Sequence, residues 1–203
     1  MIKAILRGAA ALAIPCLLWP VEAEASNEKP RPTSSQRELP HRKCMKFEIP
    51  EDAAMIYRDT YVILIDGLKT NFQEFVSANG QGHDGTARIA DANLAGGSGR
   101  ELRMNGLRLE LEVPTGAKSV SVKFGATGGG LNLEVAGDLR HTADFRTLNR
   151  TQVGGARVNV AAQNTASPRG HRGTISISTA LTHPTRLAIG GQELSIDDLC
   201  VYY

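Results

Sequence analysis

Apolar and polar residues alternate with a period of two along most of the chain from Cys44 onward. Leu107, Leu109, Leu111 and Val113 alternate with Arg108, Glu110 and Glu112. Val120, Val122 and Phe124 alternate with Ser119, Ser121 and Lys123, and Leu131, Leu133 and Val135 with Asn132 and Glu134. A strand patterned in this way has one buried and one wet face. Residues 61–65 form a continuous apolar run ended by Asp66-Gly67, the pattern of a buried strand followed by a turn. The same reading predicts strands over 44–49, 71–77, 86–91, 151–153, 157–161, 174–178, 187–189 and 194–200. Pro114-Thr115-Gly116 and Gly154-Gly155 are read as turns, and the clusters at 96–99 and 128–130 as hairpin turns. Residues 78–85 and 167–172 read as polar, Gly-rich or Pro-rich loops. No segment keeps a helical period beyond a turn or two. The pattern therefore predicts an all-β fold, an antiparallel β-sandwich of jelly-roll type with ~10 strands.

The N-terminal stretch is patterned differently. Residues 1–25 carry Lys3 and Arg7, then an apolar run with Trp19, then Ala23-Glu24-Ala25, which fits a secretory signal and its cleavage site. Residues 26–43 hold prolines and charges but one leucine, so they are expected to form a disordered linker before a β-sandwich domain over 44–203. A secreted or periplasmic location follows. Cys16 falls inside the signal, which leaves Cys44 and Cys200 as an even pair in an oxidising compartment, and a disulfide between them is expected. If they are directly opposed on antiparallel strands, paired residue numbers sum to 200 + 44 = 244. Lys46 would then face Asp198 and Glu48 would face Ile196, while a bulge at Asp197-Asp198 would bring Asp197 towards Lys46.

Charge narrows the function classes. Lys and Arg number 23 against 21 Asp and Glu, a net charge of +2, too weak a field to point to nucleic acid. No apolar run after residue 25 approaches the ~20 residues of a membrane-spanning helix, so no stable membrane insertion is expected. The five histidines are scattered without zinc-site spacing. Ser98 lies in Gly-Gly-Ser-Gly-Arg and lacks the pattern of a nucleophile elbow. No catalytic residue is assigned. Glu110 and Glu134 are the acids that a glycan-active hydrolase would call on, and alternation places them on exposed strand faces.

Four stretches carry a resemblance: residues 44–48 (CMKFE), 95–102 (AGGSGREL), 129–137 (GGLNLEVAG) and 189–200 (IGGQELSIDDLC). The chain resembles exported bacterial single-domain β-sandwich proteins of unassigned function, and its closing strand is similar to that of jelly-roll carbohydrate-binding modules and extracellular adhesion domains. The resemblance implies a non-catalytic module that binds an extracellular glycan or a cell-surface partner, with a structural or adhesive protein of the envelope or matrix as the alternative. It also implies a structural Ca²⁺, for which Glu48, Asp197 and Asp198, with Glu193, are the candidate ligands because a hard cation takes carboxylate oxygens. Solvation of strand ends and cross-strand ion pairing are the ordinary roles for the same residues. The segment after the signal has no tryptophan, and its tyrosines are Tyr57, Tyr61, Tyr202 and Tyr203, so a flat aromatic platform for polysaccharide is not expected.

Overall fold

The computed structural model describes residues 41–48, 55–59, 62–65, 68–166, 170–178 and 185–203. The expected signal, the linker up to residue 40 and the Asp66-Gly67 turn lie outside the described residues. The strands are β1 (Arg42–Met45), β2 (Val62–Ile65), β3 (Leu68–Val76), β4 (Gly82–His83), β5 (Thr86–Ala90), β6 (Glu101–Asn105) and β7 (Leu107–Val113). They continue as β8 (Ser119–Val135), β9 (Asp138–Thr142), β10 (Gln152–Val153), β11 (Ala156–Asn164), β12 (His171–Ser178) and β13 (Thr185–Tyr202). One 3₁₀ turn, Phe145–Leu148, is capped by Asp144. Among the described residues no helix is long and apolar enough to cross a membrane.

Every strand pairing is antiparallel, and the main path runs β10-β11-β12-β8-β13-β7-β3-β2. β1 and β6 pair with the far part of β13, β5 pairs with β6, and β9 pairs with β8. The result is the antiparallel β-sandwich that alternation predicts. Its single core takes the apolar phase of each strand, including Phe72, Leu109, Leu133 and Ile189 at one end and Val122, Ile175, Leu199 and Val201 at the other. Each fully buried side chain of this size contributes ~1.5–3 kcal/mol of transfer free energy. Phe124 meets Phe145 edge to face, with ring centroids 5.1 Å apart, which ties the 3₁₀ turn to the core.

Several local expectations need correction. Residues 119–124 and 131–135 are one strand, and so are 187–189 and 194–200, because β8 and β13 run alongside each other for nearly their full lengths. Gly128-Gly129-Gly130 is therefore a bulge and not a hairpin turn. Between the pairs Gly191↔Leu131 and Leu194↔Ala126, β8 has four residues where β13 has two. Gly129 takes φ +73°, and the side-chain carbonyl of Gln192 accepts the Gly130 N–H at 2.7 Å. The polar cluster at 96–99 is a crossing loop. The pattern does not predict β4, which lies inside the loop expected over 78–85, or β6 and β9, and Arg42 and Lys43, placed in the linker by composition, pair with Tyr202 and Val201 in β1.

Cys44 and Cys200 are bonded and directly opposed, and the sum of 244 holds for every pair of β1. It goes no further, because β1 ends at Met45. Asp198, at φ +44°, is an extra residue of β13 between the pairs Asp197↔Lys123 and Cys200↔Ser121. The bulge re-aims its carboxylate to Lys123, whose Nζ lies 2.7 Å away. The expected pairing of Lys46 with Asp198 is absent, and Lys46 is exposed.

Candidate functional site

Beyond its bulge, β13 turns Leu194 and Ile196 into the core and Glu193, Ser195 and Asp197 outward. Ser195 is paired with Arg103 of β6, and Arg103 with Arg88 of β5. Asn105 and Thr86 make the neighbouring pair. An isolated bridge of Ile56 to Ala87 adds residues 55–57 to the edge of β5. Ile56 enters the core, so its neighbours face outward, Met55 beside Arg88 and Tyr57 beside Thr86. Met55 is 43% exposed and Tyr57 54%, and they are the exposed large hydrophobics among the described residues.

The loop from Asp91 to Arg100 closes the other side. Its Leu94 carbonyl rests on Gly125 of β8, where a Cβ would come within 2.2 Å of that oxygen. Buried Glu101 accepts the Ala95 N–H at 2.8 Å, and Arg100 Nε meets Asp91 Oδ1 at 2.9 Å, which pins the loop at its middle and its ends. Hairpin, strand and loop together enclose a cavity of about 490 Å³. Its walls include Met55 and Leu94 on the apolar side and Thr86, Arg88, Arg103 and Asn105 on the polar side. Glu193 also lines it, fixed by a 2.8 Å hydrogen bond from Thr127. The cavity offers guanidinium, amide, hydroxyl and carboxylate groups beside one exposed apolar side chain, Met55.

The carboxylates suggested for calcium are only partly brought together. Glu193 lies in this cavity, four residues and hence ~13 Å along the strand from Asp197. Glu48, Asp197 and Asp198 lie near one another under the crossing loop, where a Cβ on Gly97 would fall 1.6 Å from Asp197 Oδ2 and one on Gly99 1.9 Å from Glu48 Oε1. Burial pushes the Asp197 carboxyl above its ordinary value, and the negative charges of Asp198 and Glu48 add to it, against the Asp198 N–H and Lys123. Lys123 occupies the Asp198 carboxylate. A Ca²⁺ site needs six to eight oxygens, and among the described residues no three His, Cys, Asp or Glu side chains form a group that could hold a metal ion. The set does not fit that cation.

Glu110 and Glu134 are not on a freely solvated face as expected. They are largely buried, and Glu134 pairs with Arg108. A second cavity, about 740 Å³, is lined by Asp144, Arg146, Asn164 and buried His171. Its charges are turned on each other, with Arg146 Nε on Asp144 and Nη1 on Asn164, both at 2.7 Å. Burial raises the Asp144 carboxyl, but the hydrogen bonds from Arg146 and the charge of His171 outweigh it and hold it below the ordinary range. His171 Nε2 lies 3.5 Å from Asp144, close enough for an ion pair and too far for a hydrogen bond.

Arg88 and Arg103 escaped the sequence reading, although a signal for them existed. Leu102 and Met104 alternate with Glu101, Arg103 and Asn105, but the run follows a Gly-rich stretch that masks its start.

No protein-family model matches the chain, and no curated protein matches it. Among solved structures, the K2 cleaved adhesin domain of Lys-gingipain is similar at 14% identity and a TM-score of 0.33, over 79% of this chain and 97% of that one. Likeness at that level assigns neither ligand nor activity.

Proposed function

We propose that this chain is an exported, non-catalytic binding module that takes an extracellular glycan or cell-surface partner in the cavity between β5, β6 and β13. The observation that carries the reading is a cavity walled by hydrogen-bonding side chains and lined by exposed Met55, with exposed Tyr57 two residues along the same edge segment. A sugar presents both kinds of surface. Its C–H faces pack on a ring or a thioether, and its hydroxyls take bonds from amide, guanidinium and hydroxyl groups. Export is supported by the signal-like residues 1–25 and by the Cys44–Cys200 bond. The resemblance to exported β-sandwich proteins belongs to the same proposal.

A glycan array probed with the exported full chain tests it. Binding to a defined glycan class is expected, weakened at least ~10-fold by Asn105→Ala or Met55→Ala, since each removes a contact worth ~1–2 kcal/mol. Binding that neither substitution alters would place the ligand elsewhere and reject this site.

A further inference from the structure

We infer that the ligand of this cavity carries an anionic group, the carboxylate of a uronic acid or the sulfate of a sulfated sugar, held between Arg88 and Arg103. The inference rests on the reading of the cavity as a glycan site and adds the chemistry of what enters it.

Arg88 and Arg103 are directly opposed across β5 and β6, an arrangement that destabilises a sheet because like charges face each other at cross-strand distance. Neither has a carboxylate partner among the described residues. Of the other ten described arginines six do: Arg58 meets Glu74, Arg100 Asp91, Arg108 Glu134, Arg140 Asp138, Arg146 Asp144 and Arg186 Glu110. The acids on the same outward side are engaged otherwise. Glu193 is held by Thr127, Glu101 is buried under the loop that it anchors, and Asp197 is buried against Gly97.

Both arginines line the cavity, Arg103 partly buried and Arg88 exposed beside Met55. A guanidinium presents a planar fork of donors that matches a carboxylate or sulfate two bonds at a time, and charge-assisted bonds are about twice as strong as neutral ones. An anion placed between the two forks would relieve their mutual repulsion and satisfy both. A neutral ligand would leave the repulsion in place. With a net charge of only +2, the chain has no broad basic field, so discrimination would come from this pair.

The experiment measures binding of the exported full chain to oligogalacturonate, to a heparin-derived sulfated oligosaccharide and to a neutral gluco-oligosaccharide, at two salt concentrations. At least one anionic probe is expected to bind ~10-fold or more tightly than the neutral one and to weaken as salt rises. Preference for oligogalacturonate identifies the carboxylate, and preference for the sulfated probe identifies the sulfate. Arg103→Gln and Arg88→Gln should each lose ~10-fold or more towards that probe, with Lys at either position retaining part of it. Both Gln variants should melt at or above the parent temperature. If the neutral probe binds as tightly, and Asn105→Ala still abolishes binding, the glycan site stands and the anionic inference falls. If no probe binds and the array is blank, the glycan reading falls with it. If Arg88→Gln lowers the melting temperature by several degrees, the pair has an acidic partner within the chain, and the inference is overturned.

Discussion

The outward side of β13 carries two charged patches built on opposite plans. Along its first part the charges are matched: Lys69 lies 3.8 Å from Glu112, Arg186 3.9 Å from Glu110, and Arg108 meets Glu134. Small residues of β13 make the last pairing possible. Ala188 is flanked by Glu110 and Glu134, and Gly190 by Arg108 and Asn132, so the long side chains can reach over the strand between them. Around Ser195 the neighbours are Arg103 and, beyond it, Arg88, with no acid between them, whereas farther along the same strand Asp198 meets Lys123 at 2.7 Å. The same strand and the same fold thus hold one patch in which the charges satisfy each other and one in which they do not. The difference separates charges that serve the fold from charges that burden it, and a burden of that kind is what a binding site imposes.

The largest effect should come from the covalent clamp at the open-patch end. The Cys44–Cys200 bond closes a separation of 156 residues, for which the chain-entropy limit is ~5 kcal/mol. Cys44→Ser with Cys200→Ser should lower the melting temperature by ~10 °C or more. Amide exchange should rise more in β1 and the end of β13 than in the matched patch on β7. An unchanged melt would show that β1 is held by pairing alone. Next in size is the matched patch itself. The Arg108 and Glu134 side chains are 16% and 21% exposed, so Arg108→Gln strands a largely buried carboxylate and should cost about 1–3 kcal/mol by chemical denaturation. A double-mutant cycle with Glu134→Gln should recover part of that loss. Gly190→Ala should cost a similar amount, because its Cβ would come within 2.5 Å of Arg108 Cβ.

Asp197 gives a smaller, pH-dependent effect beside the open patch. Its carboxyl is raised by burial first and by Asp198 and Glu48 after, so the folded state holds a proton that the unfolded chain has released. Between the ordinary carboxylate value and the raised one, stability therefore falls as pH rises. Asp197→Asn keeps an acceptor for the Asp198 N–H, which now bonds Asp197 Oδ1 at 2.7 Å. The variant should melt at or above the parent at pH 7 and lose the pH slope in that window. A variant less stable than the parent by the same amount at pH 4 and pH 7 would show that the carboxylate charge is irrelevant there.

Alternation made most of this architecture legible. Leu107 to Val113 and Ser119 to Phe124 have the faces that their periods assign, and the two cysteines located the joined ends. Glycine misled where backbone freedom has more than one use. Gly128-Gly129-Gly130 has the composition of a turn, and only the partner strand decides that it is a bulge. The charged residues were least legible, because period two says which side a residue faces and not what it meets. Glu110 and Glu134 share a phase with exposed residues, yet lie against arginines from neighbouring strands. Arg88 and Arg103 are fifteen positions apart, and their opposition depends on a register that no local pattern fixes.

On the proposed reading, the open patch is kept for a ligand and not for the fold. Chemical denaturation of Arg103→Gln beside Arg108→Gln, at low salt and without ligand, tests it most directly. Relieving the opposed pair should leave Arg103→Gln unchanged or more stable by ~0.2–1 kcal/mol, while Arg108→Gln loses about 1–3 kcal/mol. A loss in Arg103→Gln as large as that in Arg108→Gln would contradict the claim, because both patches would then be holding the fold together.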